Sequence, residues 1–331
     1  MKDTPERYSA EGFLEAARSA ASEPVRVESK RSPKRMHRIA FWLAIATVLS
    51  TFWAGVGAWV PTAPIALAME QQSLMPIRQV LLANWWGGLQ FSLALMAILV
   101  AHEFGHYLLT IVYRVPSTPP LFIPFPFYSP IGTMGAVIMM QSGSADRKQI
   151  FDIGLAGPLA GLVVAIPVIL FGLVNNQPIT YATTDAVMQL GQPLLIQWLA
   201  SVVVPTQAAD YVLVANTESS PLLMAGWVGL LVTGLNMMPL GQLDGGHVTF
   251  GLVGQKSYYI AVGALIASIA FMITTGIFLF AIMLFLVMLM GLRHPPSSDD
   301  HRTLGLARQI VGWCSLILPV LCVPANPIVM G

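Results

Sequence analysis

Residues 85–106 read WWGGLQFSLALMAILVAHEFGH. The uncharged run that covers most of this stretch extends from Gln79 to Ala101 and stops at His102, Glu103 and His106. A bilayer span needs about 20 mostly apolar residues, so the run predicts a membrane helix over 85–112. Further uncharged runs of that length are Ile39–Met69, Ile153–Thr184, Ser219–Leu243, Ser257–Leu292 and Gln309–Gly331.

Composition points the same way. Of the 331 residues, 55% are hydrophobic and 10% charged. A soluble domain carries about 25% charged residues, so this chain has too few to solvate a globular surface. The expected fold is an all-α polytopic membrane protein with about seven transmembrane helices. They fall near 39–60, 85–112, 150–174, 221–243, 258–274, 276–292 and 307–323. The lipid bilayer is an expected partner and nucleic acid is not. Cys314 and Cys322, the two cysteines, lie in the last apolar run and read as buried thiols.

The polar segment 1–38, with a possible short helix from Pro5 to Ala21, ends in Lys30, Arg31, Lys34, Arg35 and Arg38. This basic cluster abuts the first span, which puts that end in the cytoplasm. The apolar run starts late and is longer than a signal-peptide core, so the first helix is expected to be retained. On this topology Arg114, Arg147, Lys148, Lys256, Arg293 and Arg302 are cytoplasmic, and only Arg78 is external. The external loop 175–220 has no Lys or Arg. Residues 39–331 form the membrane-embedded domain.

Two regions do not read as spans. Residues 115–145 hold Pro116, Pro119, Pro120, Pro124, Pro126 and Pro130, which exclude a continuous helix there. The stretch Gly132–Gln141 after them is small and β-branched enough for a strand or hairpin. A re-entrant β-like loop is therefore expected, lining a cavity at membrane depth. Leu194–Val204 is apolar but short, as an interfacial or re-entrant helix would be.

On a helix, residues four apart share a face, so His102 and His106 can present two imidazoles to one metal ion. Glu103, beside the first of them, can take a proton from water. This is the H-E-x-x-H pattern of zinc hydrolases. A catalytic zinc site takes three protein ligands, and a downstream soluble-type histidine pattern is absent, because Leu109 stands where that signature needs glycine. The acids on the matching side are Asp146, Asp152, Asp244 and those near Asp299. Asp244 is distinctive, since it ends the uncharged run in LNMMPLGQLDGGH (235–247). Pro239 and Gly241 break the helix just before it.

These two motifs together resemble the site-2 protease family of intramembrane metalloproteases, in its compact bacterial and plastid-type branch. The likeness covers about residues 85–250 and includes Gly132–Ala136 and Gly154-Leu155-Ala156-Gly157-Pro158-Leu159-Ala160-Gly161. It implies His102, His106 and Asp244 as ligands of one Zn2+, Glu103 as the catalytic base, and Asn236 near the scissile peptide. It also implies transmembrane protein substrates. No loop has room for the PDZ domain that many members carry.

For the substrate, a helix must unwind before its carbonyls can be attacked, and an exposed strand edge offers replacement hydrogen bonds. Gly132, Gly135 and Ala136 mark the stretch expected to supply that edge, the alternative being a plug that seals the cavity. His247 reads either as a partner of Asp244 or as a helix-start hydrogen bond. The glycines from Gly154 to Gly161 read as helix-packing points. Trp53, Trp59, Trp85 and Trp86 read as interfacial belts, and Met283, Met288 and Met290 as packing or lipid-facing residues. A metal-ion transporter and an inactive scaffold of the same fold are the rival readings. A multi-pass protein of the bacterial inner membrane, with its active-site side cytoplasmic, is the expected setting.

Overall fold

The computed structural model describes residues 33–175, 189–205, 213–214, 219–275, 281–324 and 328–329. The expected helix at 5–21 lies outside them. The chain divides into two compact units, residues 1–36 and 37–331, and His102, Glu103, His106 and Asp244 all belong to the second.

The fold is mostly helical. Among its helices are α1 (Pro33–Val56), α2 (Ala63–Glu70), α3 (Met75–Val112) and α4 (Arg147–Val174). After them come α5 (Leu194–Val203), α6 (Pro221–Asn236), α7 (Asp244–Val253) and α8 (Ser257–Thr275). The described chain continues with α9 (Ala281–Met290), α10 (Leu306–Ser315) and α11 (Leu318–Cys322). Among the described residues, four segments are long and apolar enough to cross a membrane: Lys34–Val56, Met75–Val112, Arg147–Val174 and Asp244–Thr275. The other apolar helices are shorter.

The distribution of polarity suits a lipid solvent. Leu93, Val163, Phe171 and Ile266 point outward, while Thr51 and Ser92 are fully buried. The inward hydroxyls join helices. Thr51 Oγ1 and Ser92 Oγ lie 2.7 Å apart, linking α1 to α3, and Ser92 Oγ donates to the Val48 carbonyl at 3.0 Å. Between helices in lipid the hydrophobic effect supplies no driving force, so close van der Waals packing and such interhelical bonds take its place.

The proline-rich stretch forms a hairpin. Strand β1 (Leu121–Pro124) pairs antiparallel with β2 (Thr133–Val137), with Phe122 opposite Ala136 and an irregularity between Phe122 and Pro124. Ser50 Oγ donates to the Gly132 carbonyl at 2.6 Å and pins the hairpin to α1. A second small sheet, in the order β4-β3-β5, joins β3 (Gln189–Leu190), β4 (Leu213–Val214) and β5 (Ile328–Val329).

Helix α4 packs against α3, α6 and α7 and is the hub around the site. Its start is fixed by a capping box: Gln149 N donates to Asp146 Oδ1 at 2.8 Å, and Asp146 N donates to Gln149 Oε1 at 2.9 Å.

Several expectations need correction. The helix expected over 221–243 ends at Asn236. Pro239 has no N–H to continue the ladder, Gly241 takes a positive φ of 49°, and the chain hooks before α7 begins. Gly245 and Gly246 let α7 start against that hook, because a Cβ on either would strike the carbonyl oxygen of Met237 or Gly241. Trp59 is buried in the core against Phe91, at 5.8 Å between ring centroids, and is no belt residue. Cys322 is buried but Cys314 is exposed, and both are free thiols.

Candidate metal centre

His102 and His106 sit on one face of α3, as their spacing requires, and both are buried. The hook after α6 delivers Asp244, the first residue of α7, to the same point. Asp244 Oδ2 lies 3.1 Å from His102 Nε2, and Oδ1 lies 3.3 Å from His106 Nε2. The three ligand atoms fall within 4.8 Å of one another.

The residues fit a metal ion on their own hydrogen bonding. His106 Nδ1 is 2.7 Å from the Ile153 carbonyl, which can only accept, so Nδ1 carries the proton. A neutral ring then turns the bare Nε2 lone pair toward a carboxylate oxygen. Two acceptors at this distance need a cation or a proton between them. Tetrahedral zinc with ordinary bond lengths separates its ligands by about 3.3 Å, close to both observed distances. A carbonyl on the far nitrogen is also the usual way a ligating histidine is oriented. His102 Nδ1, by contrast, is buried without a hydrogen-bond partner among the described residues.

The other acids have different partners. Asp146 caps α4. Asp152 accepts from Tyr113 Oη at 2.5 Å and from Arg308 Nε and Nη2 at 2.7 and 3.1 Å. Asp299 accepts from His301 N through Oδ1.

Glu103 is buried and makes no hydrogen bond among the described residues, and it lines a cavity of about 640 Å³. The ligand residues, Asn236 and the stretch Ala136–Gly143 line the same cavity. Asn236 Nδ2 stands 3.4 Å from His102 Nε2. Of the three hairpin residues singled out in the sequence, Ala136 lines the cavity. Gly132 (φ +76°) packs on the α1 backbone at Ser50, and Gly135 (φ +92°) has no neighbour within 4 Å of its Cβ position.

Three features went unseen in the sequence. Gly157 and Gly161 are the floor of the site: a Cβ at Gly157 would occupy the His106 imidazole, and one at Gly161 would lie 3.2 Å from His102 Nδ1. Their spacing of four, matching that of the histidines, was the available signal. The third is His294, whose Nε2 lies 2.7 Å from His247 Nδ1. His247 therefore partners His294, while its backbone N–H donates to the Leu243 carbonyl as a helix-start bond.

The family model for Peptidase family M50 matches residues 90–281. The probable zinc metalloprotease EGY1, chloroplastic, of Oryza sativa subsp. japonica is 30% identical over 228 residues, covering 67% of this chain and 38% of that protein. Its Arabidopsis thaliana namesake is 30% identical over 244 residues, covering 70% and 42%. The probable zinc metalloprotease EGY2, chloroplastic, of Arabidopsis thaliana is 28% identical over 180 residues, covering 54% and 31%. The chain thus spans about two fifths of the length of the two EGY1 proteins. No solved structure matches.

Proposed function

The chain belongs to peptidase family M50, and from that premise we propose that it is a zinc metallopeptidase cutting membrane-spanning proteins within or at the edge of the bilayer. The observation that carries the reading is Glu103, a buried carboxylate without a hydrogen bond among the described residues, beside three converging side chains able to hold a metal ion in one cavity.

Zinc held by His102, His106 and Asp244 would supply a Lewis acid for the scissile carbonyl and acidify the attacking water. Glu103 takes a proton from that water and passes it to the leaving nitrogen. Asn236 directs its amide N–H at the developing oxyanion. Trp85 and Trp86 are exposed on α3. If they mark one interface, His102 lies about 25 Å further along the helix, near the opposite face of a hydrocarbon layer about 30 Å thick. Cutting near an interface suits a reaction that needs water.

The substrate binds as an extended strand on the free edge of the hairpin. Gln141 N donates to Pro116 O at 3.0 Å, Thr118 N donates to Met139 O at 2.9 Å, and Met139 N donates to Thr118 Oγ1 at 3.0 Å. By strand alternation the backbone groups of Ile138 and Met140 face away from that segment. They are the ones available to an incoming peptide.

The basic cluster over residues 30–38, which runs into the first turns of α1, supports an N-terminal end on the cytoplasmic side, or on the equivalent side of a plastid membrane. Relatives named as chloroplastic support a plastid membrane as an alternative to the bacterial inner membrane expected from the sequence. The transporter reading is disfavoured because Asp146 and Asp152 are tied to structural partners and extend no acidic path from the site.

The test compares zinc content and cleavage of a transmembrane substrate between the wild-type chain and Glu103→Gln in lipid nanodiscs. Equal zinc in both, with cutting by the wild type alone, is expected. Zinc in both and cutting by neither, across varied substrates, would return the chain to the scaffold or transporter readings.

A further inference from the structure

His294 and His247 form a histidine pair beside the metal centre that the proposed peptidase mechanism leaves unused. Both line the cavity. His294 belongs to the strap after α9, which crosses toward the loop after β2: Gly143 N donates to Pro296 O at 3.1 Å, and Ser298 N donates to Ala145 O at 2.9 Å. The ring of His294 is held from two sides. It stacks on Phe250 at 4.0 Å between centroids with planes 7° apart, and its Nδ1 is 2.6 Å from the Pro295 carbonyl.

These contacts fix where the protons are. The Pro295 carbonyl can only accept, so His294 Nδ1 carries a hydrogen. Burial pushes the proton affinity of His294 below the ordinary histidine range, so the ring is neutral and its Nε2 is an acceptor. The 2.7 Å bond to His247 then requires that His247 Nδ1 be the donor. A neutral His247 is left with a bare Nε2. This atom makes no hydrogen bond within the described residues and is not among the buried unpartnered atoms, so it is open to the cavity.

An extended peptide has two hydrogen-bonding edges. The edge at Ile138 and Met140 serves one, and the other enters a cavity whose walls are largely apolar side chains. An unmatched amide there costs far more than in water. A bare imidazole nitrogen can only accept, and the complementary group on a peptide is a backbone N–H.

We propose that His294 is a positioning residue that holds His247 in the tautomer with Nε2 bare, and that this Nε2 accepts a backbone N–H of the bound peptide. The second half rests on the peptidase reading; the first does not.

The experiment uses the full chain with 15N-labelled histidine in nanodiscs, reading ring tautomers by NMR and steady-state cleavage on the same samples. Replacement of His247 by Gln assigns its resonances. The expected wild-type state is His247 protonated on Nδ1. His294→Gln, whose amide oxygen can stand at the Nε2 position, keeps that tautomer and the wild-type KM. His294→Asn, whose amide reaches only the Nδ1 position, releases it and raises KM about tenfold, the size of one lost hydrogen bond, with kcat and zinc content held. His247→Gln raises KM by a similar factor. Protonation of wild-type His247 on Nε2 would overturn the positioning role. A wild-type KM in both His294→Asn and His247→Gln would overturn the substrate contact. A wild-type chain that binds zinc yet cuts nothing would sink the peptidase reading, while the tautomer measurement would still decide the role of His294.

Discussion

The Nδ1–H of His106 donates to the carbonyl of Ile153 across 2.7 Å, joining α3 to α4 at the metal centre. One turn further along α4, Gly157 leaves the space that the same imidazole fills. The ring is thus oriented by the α4 backbone at one nitrogen and seated against bare α4 backbone at its other end. The ligand geometry depends on how closely these two helices approach.

Gly157→Ala should therefore disable the metal centre without unfolding the protein. Its Cβ would overlap His106 Nε2, Cδ2 and Cε1, and the ring must leave Asp244 to make room. A fall in zinc affinity of about 10- to 100-fold is expected, with cleavage lost and helical circular dichroism unchanged. Gly263→Ala is the control. Among the described residues nothing beyond the local backbone of α8 lies within 4 Å of its Cβ position, and alanine there should raise stability by up to about 1 kcal/mol. Wild-type zinc binding by Gly157→Ala would refute the seating of His106 on Gly157.

The parts of the site legible in the sequence were those encoded locally. His102 and His106 lie four residues apart on one apolar helix, so spacing alone put both imidazoles on one face. Asp244 stood out because Pro239 and Gly241 interrupt an uncharged run just before it. What the sequence did not disclose depends on contacts between distant segments. That Gly157 faces His106, or that His294 meets His247 from 47 residues away, is set by how the helices cross. Asp152 shows the same limit from the other side. Charge and side made it a ligand candidate, and only its bonds to Tyr113 and Arg308 show it occupied elsewhere. Trp59 misled because a tryptophan near a span end reads as a belt residue, whereas the chain turns it inward against Phe91.

The hairpin edge gives a paired prediction. Proline at Ile138 deletes a backbone donor that faces away from the 116–118 segment, so the hairpin should persist while cleavage drops at least tenfold. Proline at Met139 deletes the N–H that bonds Thr118 Oγ1 at 3.0 Å, so it should also loosen the hairpin itself. Limited proteolysis of the 115–145 region separates the two. Full activity in Ile138→Pro, with zinc bound, would favour the plug over the edge strand.

Asp152 ties three elements: Tyr113 at the end of α3, its own helix α4, and Arg308 on α10. Arg308→Ala removes a two-pronged pair that is partly shielded, with Asp152 13% and Arg308 38% exposed. A loss of about 1–3 kcal/mol is expected, less than for a fully buried pair because Tyr113 still satisfies one carboxylate oxygen. Zinc content and cleavage at low temperature should stay at wild-type levels, since no part of the cluster lines the cavity. Thermal unfolding in one detergent checks the first expectation. Lost zinc in a folded Arg308→Ala protein would show that the cluster reaches the centre.

The buried His294 also makes stability depend on pH in a definite direction. Burial lowers its proton affinity in the fold, and the bond to Pro295 O opposes this only in part. The unfolded chain takes up this proton near pH 6.5, whereas the folded chain takes it up only at lower pH. Between the two values the unfolded state binds more protons, so stability falls as pH drops below about 6.5 and is fully present above it. Glutamine at 294 cannot titrate, and its amide can still accept from His247. The wild type should therefore lose more of its unfolding temperature than His294→Gln between pH 7.5 and 5.5, measured in the same lipid with zinc saturating. Parallel curves would mean that His294 is protonated as readily in the fold as outside it, and the lowering by burial would be wrong.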